Sequence, residues 1–212
     1  LIHTKSNETL LKEVPSIPFH DLSIVFYLFL DKDEHGQMTV LIRNDHLPIW
    51  NTDTSELYKL AIDNTPRLYP PCIRSMASLI NDMLFVNGTL IQPSFAAASP
   101  NALDLADSPI PLSILTNTSG IFGASAMLYP GVLKEFSKKI GHDLIILPSS
   151  VHEVLLLPYD STYSFQEMAD MVKDVNEKCV PVEEQLSNQV YYYSSTQDSI
   201  FLGGDPASRI LS

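Results

Sequence analysis

The sequence predicts an α+β fold: a mixed or mainly antiparallel sheet with several helices packed on it, in a single domain over residues 1–212. Three observations carry that expectation. Strand-like and helix-like segments are interspersed without a regular βα alternation. One pair of strand-like segments is joined by a short polar, Gly-containing connection, and two capping-box pairs stand directly before apolar runs of helical period.

The elements follow in chain order. Leu22 to Asp31 is rich in branched and aromatic side chains, Asp31 to Gly36 is polar, and Met38 to Ile42 is apolar again, which reads as a β-hairpin. Asp53 stands three residues before Glu56, with Leu57, Leu60 and Ala61 on one helical face, so a helix is expected over Thr54 to Asp63. Thr65-Pro66 and Tyr69-Pro70-Pro71 should stop it, because proline removes a donor and restricts its predecessor. A weaker helix is expected at Ser75 to Met83. Residues 86–111 hold several prolines and the small-residue stretch Ala96 to Ser99, with no sustained period, and read as a long irregular loop or insertion.

The later signals are sharper. Leu112 to Thr116 reads as a strand, and Asn117 to Gly123 as a polar turn. Pro130 sits where a first-turn proline belongs, Leu133, Phe136 and Ile140 share a face, Lys138 and Lys139 fall near the end, and Gly141 follows at the C′ position. Leu144 to Leu147 and Val151 to Leu157 read as two strands joined by a tight connection at Pro148-Ser149-Ser150. Ser164 and Glu167 make a second capping box, followed by a core stripe of Met168, Met171, Val172 and Val175. Gln189 to Tyr193 closes the list of expected strands.

Charge and composition narrow the function. The net charge of −12 repels phosphate backbones and anionic headgroups, which disfavours nucleic-acid and membrane-surface roles. The longest apolar run, Leu22 to Leu30, is about half the length of a spanning helix. Cys72 and Cys179 are too few for a disulfide scaffold and too far apart for a metal knuckle, so they are expected as reduced thiols, with one disulfide left open. The chain starts at Leu1, which suggests the C-terminal part of a longer protein.

Several strings then carry a resemblance: Ile17-Pro18-Phe19-His20-Asp21-Leu22-Ser23-Ile24-Val25-Phe26-Tyr27, Glu56-Leu57-Tyr58 with Asn64-Thr65-Pro66, Leu128-Tyr129-Pro130, Ile146 to Val154, and Met171 to Asn176. Together they resemble an uncharacterised family, a domain of unknown function common in anaerobic Gram-positive gut bacteria. A more distant similarity is to another uncharacterised family found in bacilli. The resemblance implies a bacterial cytoplasmic protein, and a further N-terminal region in family members. It brings no catalytic residue and no reaction.

The residues offer two constellations. Ser149, Ser150, His152 and Glu153 place a nucleophile, a base and an acid within five positions. In an extended segment Ser150 and His152 share a face while Glu153 points away, and no G-x-S-x-G elbow is present, so a turn whose hydroxyls satisfy backbone groups is the preferred explanation. The second is a set of adjacent pairs, His20-Asp21, Asp45-His46, His142-Asp143 and His152-Glu153. Each could supply one inward ligand, and His20, Asp21 and His152 are the candidate metal set, against solvated turns as the preferred alternative.

Gly120 to Gly123 lacks both the P-loop Lys-Ser/Thr and the three-glycine dinucleotide pattern, and is better explained by a tight turn or close packing. Tyr191-Tyr192-Tyr193 and Trp50 could form an aromatic patch, but tyrosines alternating on a half-buried strand are the simpler account. No cofactor motif is present. The leading expectation is a non-enzymatic binding domain for a protein or small ligand, its oligomeric state unspecified. The competing one is a hydrolase or metal-dependent enzyme using His152 with Ser149 or Ser150 and Glu153.

Overall fold

The computed structural model describes residues 1–33, 36–76 and 112–204. The chain is an α+β protein, and every strand pairing among the described residues is antiparallel. It divides into two compact units, Leu1–Leu68 and Tyr69–Ser212, each described here by itself. The expected loop at 86–111, and the expected helix beyond Met76, lie outside the described residues.

The first unit contains strands β1 (Ile2–His3), β2 (Ser16–Phe19) and β3 (Leu22–Val25), with a short helix α1 (Glu8–Leu11) between the first two. Their sheet order is β1-β3-β2. Next come β4 (Tyr27–Asp33) and β5 (Gly36–Leu41), the hairpin that the sequence predicts, followed by α2 (His46–Trp50) and α3 (Thr54–Leu68). The expected strand from Leu22 to Asp31 is in fact two. It breaks at Phe26, whose side chain is buried with Ile42 and Leu57 in this unit's core and whose carbonyl accepts from Ile42 N–H at 2.8 Å.

Helix α3 begins as predicted, with Asp53 Oδ1 accepting from Glu56 N–H at 2.8 Å. It does not stop before Pro66 but passes through it to Leu68. A proline this close to the C-terminus removes the bond to one carbonyl, that of Ile62, and only two residues remain to be disturbed beyond it.

In the second unit the strands are β6 (Pro71–Ser75), β7 (Ser113–Asn117), β8 (Leu144–Pro148), β9 (Val154–Pro158), β10 (Tyr191–Ser194) and β11 (Ser199–Leu202). They form one sheet in the order β11-β10-β8-β9-β7-β6. Ser75, expected to open a helix, instead ends β6 opposite Ser113. Among the described residues this unit also holds the helices α4 (Val132–Ile140) and α5 (Phe165–Cys179).

Alternation along the strands gives the sheet two apolar faces. On one, Ile145 and Leu157 pack with Val172 of α5 and with Val190, and Phe165, Met168 and Ala169 join from the helix. The residues of opposite parity, Leu144, Ile146, Leu156 and Tyr191, are also fully buried. Six fully or nearly buried side chains from adjacent strands, at about 1.5–3 kcal/mol each, make this the main apolar store of the described fold.

Helix α5 starts at the predicted cap, Ser164 Oγ accepting from Glu167 N–H at 3.3 Å. Its core stripe is not quite the predicted one. Met171 is 62% exposed, because a residue beside Val172 lies about 100° round the helix from it. The inward position one turn on is polar Asn176, whose Nδ2 donates to Ser187 O and Asn188 Oδ1 at 2.9 and 2.8 Å.

Helix α4 ends as expected at Gly141, in the left-handed region at φ 77°. Pro130 is not its first residue, however, since Gly131 with φ 80° takes the N-cap position between them.

Candidate functional site

The loop between β8 and β9 holds the predicted Ser149 to Glu153 constellation. Ser149 is buried and its hydroxyl donates to the Glu153 carbonyl at 3.0 Å. Ser150 N–H donates to the same carbonyl at 3.3 Å, and Ser150 Oγ accepts from His152 N–H at 3.0 Å. Both serine hydroxyls thus serve the backbone of a five-residue turn.

The His152 ring turns elsewhere. Nδ1 accepts from Phe122 N–H at 3.3 Å, the ring stacks on Phe122 with centroids 6.1 Å apart, and Nε2 lies 3.8 Å from Glu184 Oε1. An accepting Nδ1 leaves the proton of the neutral ring on Nε2, facing that carboxylate. Glu153 is largely enclosed, and burial pushes its carboxyl above the usual range.

Gly123 locks this corner. A Cβ there would lie 2.1 Å from Thr116 Oγ1 and 2.4 Å from the His152 carbonyl, so only glycine fits, while Gly120 with φ 70° supplies the turn before it. Close packing and a tight turn, the two non-phosphate explanations of these glycines, both apply.

The remaining predicted residues have local roles. His20 and Asp21 form the two-residue turn between β2 and β3, His20 in the left-handed region at φ 54°, and the Asp21 carbonyl accepts from Thr4 N–H at 3.0 Å. They belong to the first unit and His152 to the second. Among the described residues, no three His, Cys, Asp or Glu side chains are grouped as metal ligands. Cys72 and Cys179 are not joined in a disulfide.

Tyr191, Tyr192 and Tyr193 are not half-buried but almost wholly enclosed, at 0, 2 and 2% exposure. Their hydroxyls explain why that is tolerated: Tyr192 donates to Asp143, and Tyr193 donates to Asp198 Oδ1 at 2.6 Å. Asp143 also accepts from Ser195 N–H and Oγ at 2.9 and 2.5 Å. Burial alone would raise its carboxyl, but the Ser195 and Tyr192 hydrogen bonds and nearby His142 outweigh that and hold it below the usual range. Trp50 lies in α2 of the first unit, its ring 5.0 Å from that of His46.

A second feature has no counterpart in the sequence expectations. Between β6 and α4 runs a groove of about 820 Å³. Its apolar wall is built from Ile73, Val132, Phe136, Ile140, Tyr159 and Tyr163, all half-buried. Val132, Phe136 and Ile140 recur every four residues, so α4 has two stripes. Leu133 and Ser137 face the core, and this one lines the groove. Glu135, Lys139, His142 and Asp160 supply its charge.

A model of one protein family matches residues 1–195. The chain belongs to the family of unknown function DUF5688. The match spans segments 17–27 and 146–154, on which the sequence resemblance rests. No curated protein and no solved structure matches the chain.

In this DUF5688 protein the polar groups of the groove are arranged differently from those of the β8–β9 loop. Asp160 is committed locally, accepting from Thr162 N–H and Oγ1 at 2.8 Å each, and these bonds and the neighbouring His142 hold its carboxyl low. The side chains of Glu135 and Lys139 make no hydrogen bond or ion pair with any described residue, whereas Lys134 of the same helix pairs with Asp198 at 2.9 Å. The one sequence signal of the groove is the four-residue spacing in α4. Its opposite wall, β6, comes from a proline-bounded segment that shows no strand pattern.

Proposed function

We propose that this is a non-enzymatic binding domain of a bacterial cytoplasmic protein, and that its ligand occupies the groove between β6 and α4. The groove carries the reading: its volume is in the range of about 300–1,000 Å³ common for ligand sites, and it joins an apolar wall to a few polar groups. The Ser149 to Glu153 loop supports it from the other side. Its hydroxyls are spent on backbone groups, and His152 faces Phe122 and Glu184 instead of a serine.

The test is a fragment screen followed by ¹H–¹⁵N NMR on the full chain, with a serine-directed fluorophosphonate probe in parallel. Fragments should move the amide signals of Ile73, Phe136 and Ile140, and the probe should label nothing. Labelling of Ser149 or Ser150, or fragment shifts confined to that loop, would favour the hydrolase instead. Absence of any groove shift would overturn the binding site.

A further inference from the structure

Resting on that reading, we propose that the ligand is a short apolar peptide with both termini free, a dipeptide in particular. Lys139 takes its carboxylate and Glu135 its ammonium group. Glu135 and Lys139 are one helical turn apart, bracket Phe136 of the apolar stripe, carry opposite charges, and have no partner among the described residues.

Side chains at i and i+4 have Cβ atoms about 6 Å apart. Two residues of extended chain span at most about 7 Å, so each terminus of a dipeptide comes within reach of one of the two flexible side chains. A free amino acid carries both charges on one carbon and cannot span that interval. The apolar side chains of a dipeptide would lie along Ile73, Phe136 and Tyr159.

Charge points the same way. A protein of net charge −12 repels a net anion, while a zwitterion meets no such field. One cation and one anion, each without a partner among the described residues, recognise two opposite charges, and either blocked terminus would leave one of them unmatched.

The experiment uses the full chain and leucyl-phenylalanine, its N-acetyl form, its C-terminal amide and free phenylalanine, followed by titration NMR. The free dipeptide should shift the amides of Ile73, Phe136 and Ile140. Acetylation, amidation and shortening to phenylalanine should each weaken binding by about tenfold or more, a difference that a single charged contact can supply. Lys139→Met should weaken the dipeptide but leave the amide's affinity unchanged, and Glu135→Gln should do the same for the acetylated form.

Both side chains are exposed, so the variants should keep the wild-type spectrum outside the groove. If the blocked peptides or phenylalanine bind as tightly as the dipeptide, or if fragments enter the groove and the dipeptide does not, this proposal is overturned and the binding site stands. If nothing shifts the groove amides, both fall together.

Discussion

The β8–β9 loop and the β6–α4 groove hold the same kinds of side chain and use them in opposite ways. In the loop, Ser149, Ser150 and His152 all reach partners within the chain: the Glu153 carbonyl, the His152 amide and the Phe122 amide. Along the groove, Glu135 and Lys139 stand one turn apart with no partner among the described residues. Residues adjacent in sequence, which offered a turn as the preferred reading and a reaction centre as the alternative, form a five-residue turn. The surface with unspent polar groups is assembled from segments some 60 residues apart, Pro71–Ser75 and Val132–Ile140.

The comparison predicts that the loop corner is structural, and Gly123 tests this most severely. Gly123→Ala places a methyl group 2.1 Å from Thr116 Oγ1, 2.4 Å from the His152 carbonyl and 2.8 Å from the Asn117 nitrogen, two of which are backbone atoms. The substitution should cost about 3 kcal/mol in urea unfolding, the upper end of ordinary overpacking. A loss below about 1 kcal/mol would show that the corner yields easily and is not held by close packing.

Asp143 is expected to come next. Asp143→Ala leaves the buried Tyr192 hydroxyl and Ser195 without their acceptor, at a cost of about 2 kcal/mol at neutral pH. The pH dependence has a definite sign. The folded-state carboxyl is held low, so its stabilisation is present above the unfolded value of about 3.9 and is lost as pH falls through the folded pKa.

Glu153 has the opposite sign. Its folded pKa is raised by burial, so the charged form is disfavoured in the folded chain at neutral pH. Glu153→Gln should therefore raise the unfolding midpoint at pH 7. That gain should shrink as pH falls through the raised folded value and vanish below the unfolded value of about 4.3. Thermal unfolding of both variants from pH 3 to 7 reads the two slopes, and equal signs would contradict the assigned environments.

What was legible in the sequence was what short-range physics decides. The Ser164 and Asp53 caps, the Gly141 stop and the β4–β5 hairpin depend on residues a few positions apart, and all are present. Pro66 was misjudged because the cost of a proline depends on how much helix follows it, and here only Leu68 ends the helix two residues on. Phe26 and Met171 were misjudged because tertiary packing, not period alone, decides which apolar residue faces inward.

The candidate site was less legible still. His152 meets Phe122 and Glu184, each about 30 positions away in sequence, and no local pattern encodes such a meeting. Strand β6 begins on the second of two consecutive prolines, and its pairing with β7 joins segments separated by residues 76–112. The groove exists only once that pairing has formed.

Smaller effects are expected within the turn itself. Ser149→Ala removes one hydrogen bond from a buried hydroxyl to the Glu153 carbonyl, which keeps Ser150 N–H as a second donor. Chemical unfolding should show a loss of about 1 kcal/mol, the usual net worth of one such bond. A loss near zero would mean that the hydroxyl is free to do something else, and would reopen the catalytic alternative.

The smallest effects belong to the groove, and they separate the two regions most cleanly. Glu135→Gln and Lys139→Met remove charges that form no hydrogen bond or ion pair with any described residue, so each should change stability by less than about 0.5 kcal/mol. Exposed charges held for a ligand contribute to binding and not to folding, whereas charges held for the fold do the reverse. A loss above about 1 kcal/mol in either variant, measured by urea unfolding without any ligand, would place that side chain among the fold's own contacts. The groove would then resemble the loop, its polar groups already spoken for, and the difference between the two regions would disappear.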